Sequence, residues 1–117
     1  MNVYNNELLI KTKIVKSMFR LDERARCIRK PYKFTFIKHV DDAYNEMLRL
    51  CVAANMAKGS KKTYQHKMDI QLETLRAYID TAVSSDLKLI SPGLHKVWSA
   101  ELHEIGCLLG GWIASTK

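Results

Sequence analysis

The stretch that most limits the fold is the run after Ser91-Pro92. There Leu94, Trp98, Leu102, Ile105, Leu109 and Trp112 recur at steps of three and four. That period puts all six on one face of a helix. Ser91 suits the N-cap and Pro92 the first helical position, so the helix is predicted from Ser91-Pro92 to about Ala114. Gly110 and Gly111 interrupt it just before Trp112. Each glycine inside a helix costs about 1 kcal/mol relative to alanine. Keeping the pair implies close backbone approach there, so Gly110, Gly111 and Trp112 are expected to pack against a neighbouring helix or subunit. The plainer alternative is a fraying end with Gly110 near the C-cap.

Three further helices are predicted. The first runs from about Tyr4 into Arg24–Arg26, with Tyr4, Leu8, Val15, Met18 and Phe19 on one side and Ile10, Ile14 and Leu21 widening it. Pro31 then marks a connection, with Lys30 pushed towards an extended conformation. The second helix carries Ile37, Val40, Tyr44, Met47, Cys51 and Ala54, with Thr35 as its cap and Gly59 as a left-handed C-cap. The third begins near Ser60–Thr63 and carries Met68, Leu72, Leu75, Ile79 and Ala82 in a heptad-like seam. Leu87, Leu89 and Ile90 pack the last connection. Four amphipathic helices with short loops in one 117-residue domain imply an all-α, up-down antiparallel four-helix bundle.

Charge narrows the function. Residues 1–38 hold ten Lys and Arg against three Asp and Glu, while residues 39–117 hold nine of each sign. The whole net charge of +7 therefore belongs to the first third. A field concentrated in this way suits a polyanion such as a phosphate backbone. Arg24, Arg26, Arg29, Lys30 and Lys33 surround the first connection, and Lys58, Lys61 and Lys62 the second. Lys13, Lys16 and Arg20 lie along the first helix between them. These eleven residues are the candidate nucleic-acid contacts. Tyr32, Phe34 and Phe36 alternate with Lys33 and Thr35, a pattern that can grip single strands by charge and stacking. The competing reading has Phe34 and Phe36 stapling the start of the second helix, and it is preferred for the two phenylalanines.

Catalytic patterns are sparse. No Glu-x-x-His pair for a di-metal bundle site occurs, and no Walker A or GxGxxG motif. His39 with Asp42 and His66 with Asp69 read as surface pairs; His95 and His103 stand eight apart. Cys107 lies one turn beyond His103, without an oxyanion element. No metal, cofactor or enzymatic activity is expected. Cys27, Cys51 and Cys107 are odd in number, lie among apolar residues and form no CxxC pair, which points to a reducing compartment. With no secretory leader visible and no apolar run near the ~20 residues of a membrane span, a cytoplasmic protein is expected.

The segment from Glu104 to Ile113, Glu-Ile-Gly-Cys-Leu-Leu-Gly-Gly-Trp-Ile, resembles the C-terminal signature of the accessory variability determinant proteins of diversity-generating retroelements. Phe34-Thr35-Phe36, the Leu48–Met56 run and Leu87-Lys88-Leu89-Ile90-Ser91 match in order, so the resemblance covers roughly residues 5–115. It implies a four-helix bundle assembled as a pentameric barrel. It also implies a non-catalytic partner of a reverse transcriptase that binds template RNA and supports mutagenic cDNA synthesis. DNA or an RNA–DNA hybrid is the alternative polynucleotide. A wider kinship with small bundles encoded in ribosomal RNA intervening sequences supplies the rival expectation: a structural or protein-interaction bundle. A weaker rival is a small-ligand bundle with Trp98 and Trp112 lining a pocket.

Overall fold

The computed structural model describes residues 3–117, and their side chains from Glu7 onward. The expected place of Tyr4 on an apolar face lies outside the described side chains. Helix α1 spans Val3–Phe19, α2 Leu21–Ala25, α3 Lys30–Tyr32, α4 Lys38–Met56, α5 Lys61–Ala82 and α6 Pro92–Ser115. A wide turn, Lys33–Ile37, joins α3 to α4. No strand occurs among the described residues. The four long helices form one core, in which α1 packs on α4 and α6, and α5 packs on α4 and α6. Among the described residues no helix is long and apolar enough to cross a membrane.

The stripes predicted for the second, third and fourth helices face the core as their spacing requires, with Ile37 and Leu94 only half-buried. Val40, Tyr44, Met47, Cys51 and Ala54 face Met68, Leu72, Leu75, Ile79 and Ala82 across the core, with Trp98, Leu102, Ile105, Leu109 and Trp112 completing it. Ser91 caps α6, accepting a hydrogen bond from the Leu94 amide at 3.1 Å, with Pro92 in the first turn.

The first third differs from expectation. The buried side of α1 is Ile10, Ile14 and Ser17, and α2 continues it with Leu21 and Arg24. Leu8 and Phe19 are 49% and 72% exposed, so these two members of the anticipated leading stripe face outward, while Met18 of the same stripe packs against the core. The single predicted helix is hitched at Arg20, although the Arg20 amide still bonds the Lys16 carbonyl and the Arg24 amide the Arg20 carbonyl.

Pro31 stands inside the first turn of α3, where its missing N–H has no partner to lose. The extended residue is Arg29, at φ −59° and ψ 139°, and not Lys30. Helical structure therefore starts five residues before Thr35, which lies in the wide turn and caps nothing. That turn carries an extra residue, a geometry frequent at functional sites. Phe36 is buried there and Phe34 is 75% exposed, so only Phe36 packs as a staple would. Gly59 does not adopt positive φ; α4 ends through Ala57 in extended conformation.

Cross-helix partners run in opposite numerical order. Glu7, Lys13 and Ser17 of α1 meet Trp112, Glu104 and Glu101 of α6. Gln65, Arg76 and Asp80 of α5 meet Thr116, Leu102 and His95.

Candidate nucleic-acid interface

The cations of α1 and α2 divide into two groups. Arg24 is buried, with Nη1 3.1 Å and Nη2 2.5 Å from the two oxygens of Glu101. Its guanidinium lies 4.8 Å from the Trp98 ring centroid, a cation–π position. Arg20 donates to the same carboxylate at 2.7 Å. Ser17 donates to it at 2.9 Å, so the Tyr44 hydroxyl, 2.5 Å from Ser17 Oγ, donates to Ser17 and accepts from Trp98 Nε1 at 2.8 Å. A continuous chain thus runs from Trp98 to Glu101. Burial raises the Tyr44 pKa, against the lowering effect of its Ser17 and Trp98 hydrogen bonds. Burial also acts to raise the Glu101 pKa, but hydrogen bonds from Arg24, Ser17 and Arg20 and the Arg24 charge hold it below the usual carboxylate range. Arg24 is therefore engaged in a buried ion pair, with its guanidinium turned to Glu101 and Trp98. Lys13 pairs with Glu104 at 2.9 Å and Lys61 with Glu7 at 3.5 Å, so both are partly neutralised.

Lys16, Arg26, Lys30, Lys33, Lys58 and Lys62 are exposed. Among the described residues none of the six has an acidic partner within salt-bridge distance. Arg26, Lys30 and Lys33 gather around the α2–α3 connection, with Arg29 beside them. Lys58, Lys61 and Lys62 line a separate hollow with Ser115, Thr116 and Lys117. The longest dimension of the chain is 44 Å. Arg26, Lys30 and Lys33 do not share that hollow, and of the candidates along α1 only Lys16 has no acidic partner among the described residues.

Beside the first cluster lies a cavity of about 440 Å³ that the sequence does not reveal as a unit. Tyr32 and Phe36 approach it from the N-terminal side, His39 from α4, Tyr78 from α5, and Leu87 and Leu89 from the last connection. The His39 and Tyr78 rings stack at 5.7 Å and 8°. Phe36 is held edge-on to Trp98 at 6.5 Å and 81°. Arg29 lies 5.3 Å from the Tyr32 ring centroid and donates to the Leu87 carbonyl at 2.8 Å. The one sequence signal was the alternation of aromatic and basic residues; His39 and Tyr78 were invisible because they meet only through tertiary packing.

Gly110 and Gly111 are exposed, and a Cβ on either would meet nothing within 4 Å. Neither is held by close packing within the chain, and α6 continues to Ser115, so Gly110 is no C-cap. Trp112 is fully buried and donates to Glu7 at 3.1 Å. The tight glycine is Gly106, whose Cβ would fall 2.6 Å from Arg76 Nη2 and 3.3 Å from Leu72 Cδ2. Its bare face lets Arg76 lie across α6 and donate to the Leu102 carbonyl at 3.2 Å. Trp98 and Trp112 are fully buried core residues.

Of the cysteines only Cys51 is buried; Cys27 and Cys107 are exposed although each has apolar neighbours in the sequence. Cys107 Sγ lies 3.5 Å from His103 Nε2. Among the described residues no group of three His, Cys, Asp or Glu comes together as metal ligands would.

In comparisons with known proteins, no family model, no curated protein and no solved structure matches this chain.

Proposed function

We propose that the chain is a non-catalytic accessory protein of a diversity-generating retroelement. It binds template RNA and the reverse transcriptase and so supports mutagenic cDNA synthesis. The observation that carries the polyanion part is the group of exposed, acid-free cations Arg26, Lys30 and Lys33 around the α2–α3 connection. Phosphate contact of this kind positions a polynucleotide without reading its sequence. The link to a reverse transcriptase rests on the sequence resemblance.

The up-down antiparallel arrangement belongs to the same reading and is supported by the opposed order of the cross-helix pairs on α6. A symmetric homo-oligomer is supported by apolar side chains left on the outside, Leu8 and Phe19 on α1, Val52 and Met56 on α4, and Ile70 on α5, and its being a pentamer rests on the sequence resemblance. Gly110 and Gly111 take their packing role, in this reading, between copies. Repeated subunits would multiply the basic patch and raise avidity without new contacts.

The test is reconstitution. Purified protein is added to a retroelement reverse transcriptase and its template RNA, and cDNA synthesis is measured. Dependence of cDNA on the protein supports the reading; equal synthesis without it removes the accessory role. The same exposed apolar residues favour a protein-interaction bundle as the second reading. Light scattering showing a monomer that binds no RNA would select it.

A further inference from the structure

We infer that the 440 Å³ cavity beside Arg29 takes an unstacked base of a single-stranded RNA. This rests on the RNA-binding reading above and adds the form of the strand to it.

The volume lies within the roughly 300–1,000 Å³ of small-ligand pockets. The walls are apolar and aromatic, with Tyr32, Phe36 and the parallel His39–Tyr78 pair contributing four rings. Flat faces of this kind hold a base by stacking, whichever base it is. Thr35, Thr74 and Thr81 also line the space. The Thr74 and Thr81 hydroxyls spend their protons on the Ile70 and Ala77 carbonyls, which leaves lone pairs free to accept from an exocyclic amine.

The rim supplies the complementary charge. Arg29 bridges two parts of the wall, lying on the Tyr32 face and bonding the Leu87 carbonyl. A guanidinium has five N–H donors, so others remain for a phosphate. Lys30 and Lys33 are exposed on either side of Tyr32 in sequence. A nucleotide entered base-first beside Tyr32 would leave its phosphate near Arg29, with Lys30 and Lys33 on the same short stretch of chain to attract the strand. An apolar peptide side chain would use the cavity and waste the charge. A double helix, with its bases stacked and paired, could use the charge but not the cavity.

The experiment uses the full chain and a short single-stranded RNA carrying one 2-aminopurine, whose fluorescence falls when it stacks on an aromatic ring. Binding is followed by quenching and by anisotropy, beside a blunt duplex of the same sequence. Two variants probe the cavity. Tyr32→Leu removes one ring, and Ala77→Leu fills space from an exposed helical position that tolerates leucine. Melting curves confirm that both fold. The wild type should quench the single strand, and each variant should lose the quench and roughly fivefold or more in affinity, the usual effect of one lost stacking contact. The salt slope should stay unchanged in Ala77→Leu, which touches no phosphate contact. Binding to the duplex should be insensitive to either change. RNA binding with no quench, or with affinity equal in all three proteins, overturns the base pocket and leaves the phosphate reading standing. No RNA binding by the wild type at low salt overturns both. Binding of an acidic, tyrosine-bearing peptide that Ala77→Leu blocks, with no such effect on RNA, assigns the cavity to a protein partner and overturns the inference.

Discussion

Arg24 and Glu101, 77 residues apart, form a two-pronged ion pair at the junction of α2 and α6, with Nη2 2.5 Å from one carboxylate oxygen and Nη1 3.1 Å from the other. Arg24 is 8% exposed and Glu101 16%, so removing either partner strands a largely desolvated charge. Glu101→Gln should cost about 3 kcal/mol, the low end for breaking a buried pair, because Glu101 keeps some contact with water. The Glu101 pKa is held low in the fold. Its stabilising contribution is therefore complete above the ordinary glutamate value of about 4.3 and is lost as pH falls through the depressed value. Chemical denaturation across the acid range checks both points: the wild type should weaken steeply there and Glu101→Gln much less.

The glycine pair gives a second prediction. Nothing lies within 4 Å of a Cβ at Gly111. In the isolated chain Gly111→Ala should raise stability by about 0.5–1 kcal/mol, through the helical entropy that glycine loses. If copies pack on this face, a larger side chain should instead disrupt the oligomer. Melting temperature and light-scattering mass of Gly111→Ala and Gly111→Val separate the two: a stabilised chain of unchanged mass frees the glycines from any assembly role.

Thiol reactivity should follow burial. Burial pushes the Cys51 thiol up to about 11, so its nucleophilic thiolate is scarce at neutral pH. Cys27 and Cys107 are exposed. Titration with a chromogenic disulfide should label two thiols in the native protein and the third only after unfolding.

Lys88 holds φ at 49°, a left-handed conformation that L residues adopt at a cost. The bend lets the amides of both Leu89 and Ile90 reach the Ala82 carbonyl, at 2.8 and 3.3 Å. Lys88→Gly should stabilise by up to about 1 kcal/mol, measured by denaturant midpoint at unchanged slope.

What the sequence revealed follows from where periodicity is informative. The stripes of α4, α5 and α6 are legible because each helix has one dominant apolar face, and most residues the spacing marks are buried, although Ala43, Leu50 and Gln65 are buried without belonging to a marked stripe. On α1 the apolar residues surround the helix, so spacing could not choose between Ile10 and Ile14, which are buried, and Leu8 and Phe19, which are not. Pro31 was read as a break although a first helical turn tolerates it. The pairing of Arg24 with Glu101 is not legible in the sequence, because the two are 77 residues apart and no local pattern joins them. Gly106 passed unremarked beside the conspicuous Gly110-Gly111, since its reason for being glycine is the side chain of Arg76 on another helix.

The exposed cations around the α2–α3 connection are proposed to bind RNA phosphates. Fluorescence anisotropy of a labelled single-stranded RNA, over a salt series, tests it with Arg26→Glu, Lys30→Glu and Lys33→Glu combined. Single-strand binding loses about 0.7 in the slope of log affinity against log salt for each phosphate contact removed, so the triple variant should bind more weakly with a slope shallower by about 2. Its melting curve and light-scattering mass should match the wild type. Negligible binding by the wild type at low salt, or an unchanged slope and affinity in the triple variant, would contradict the account.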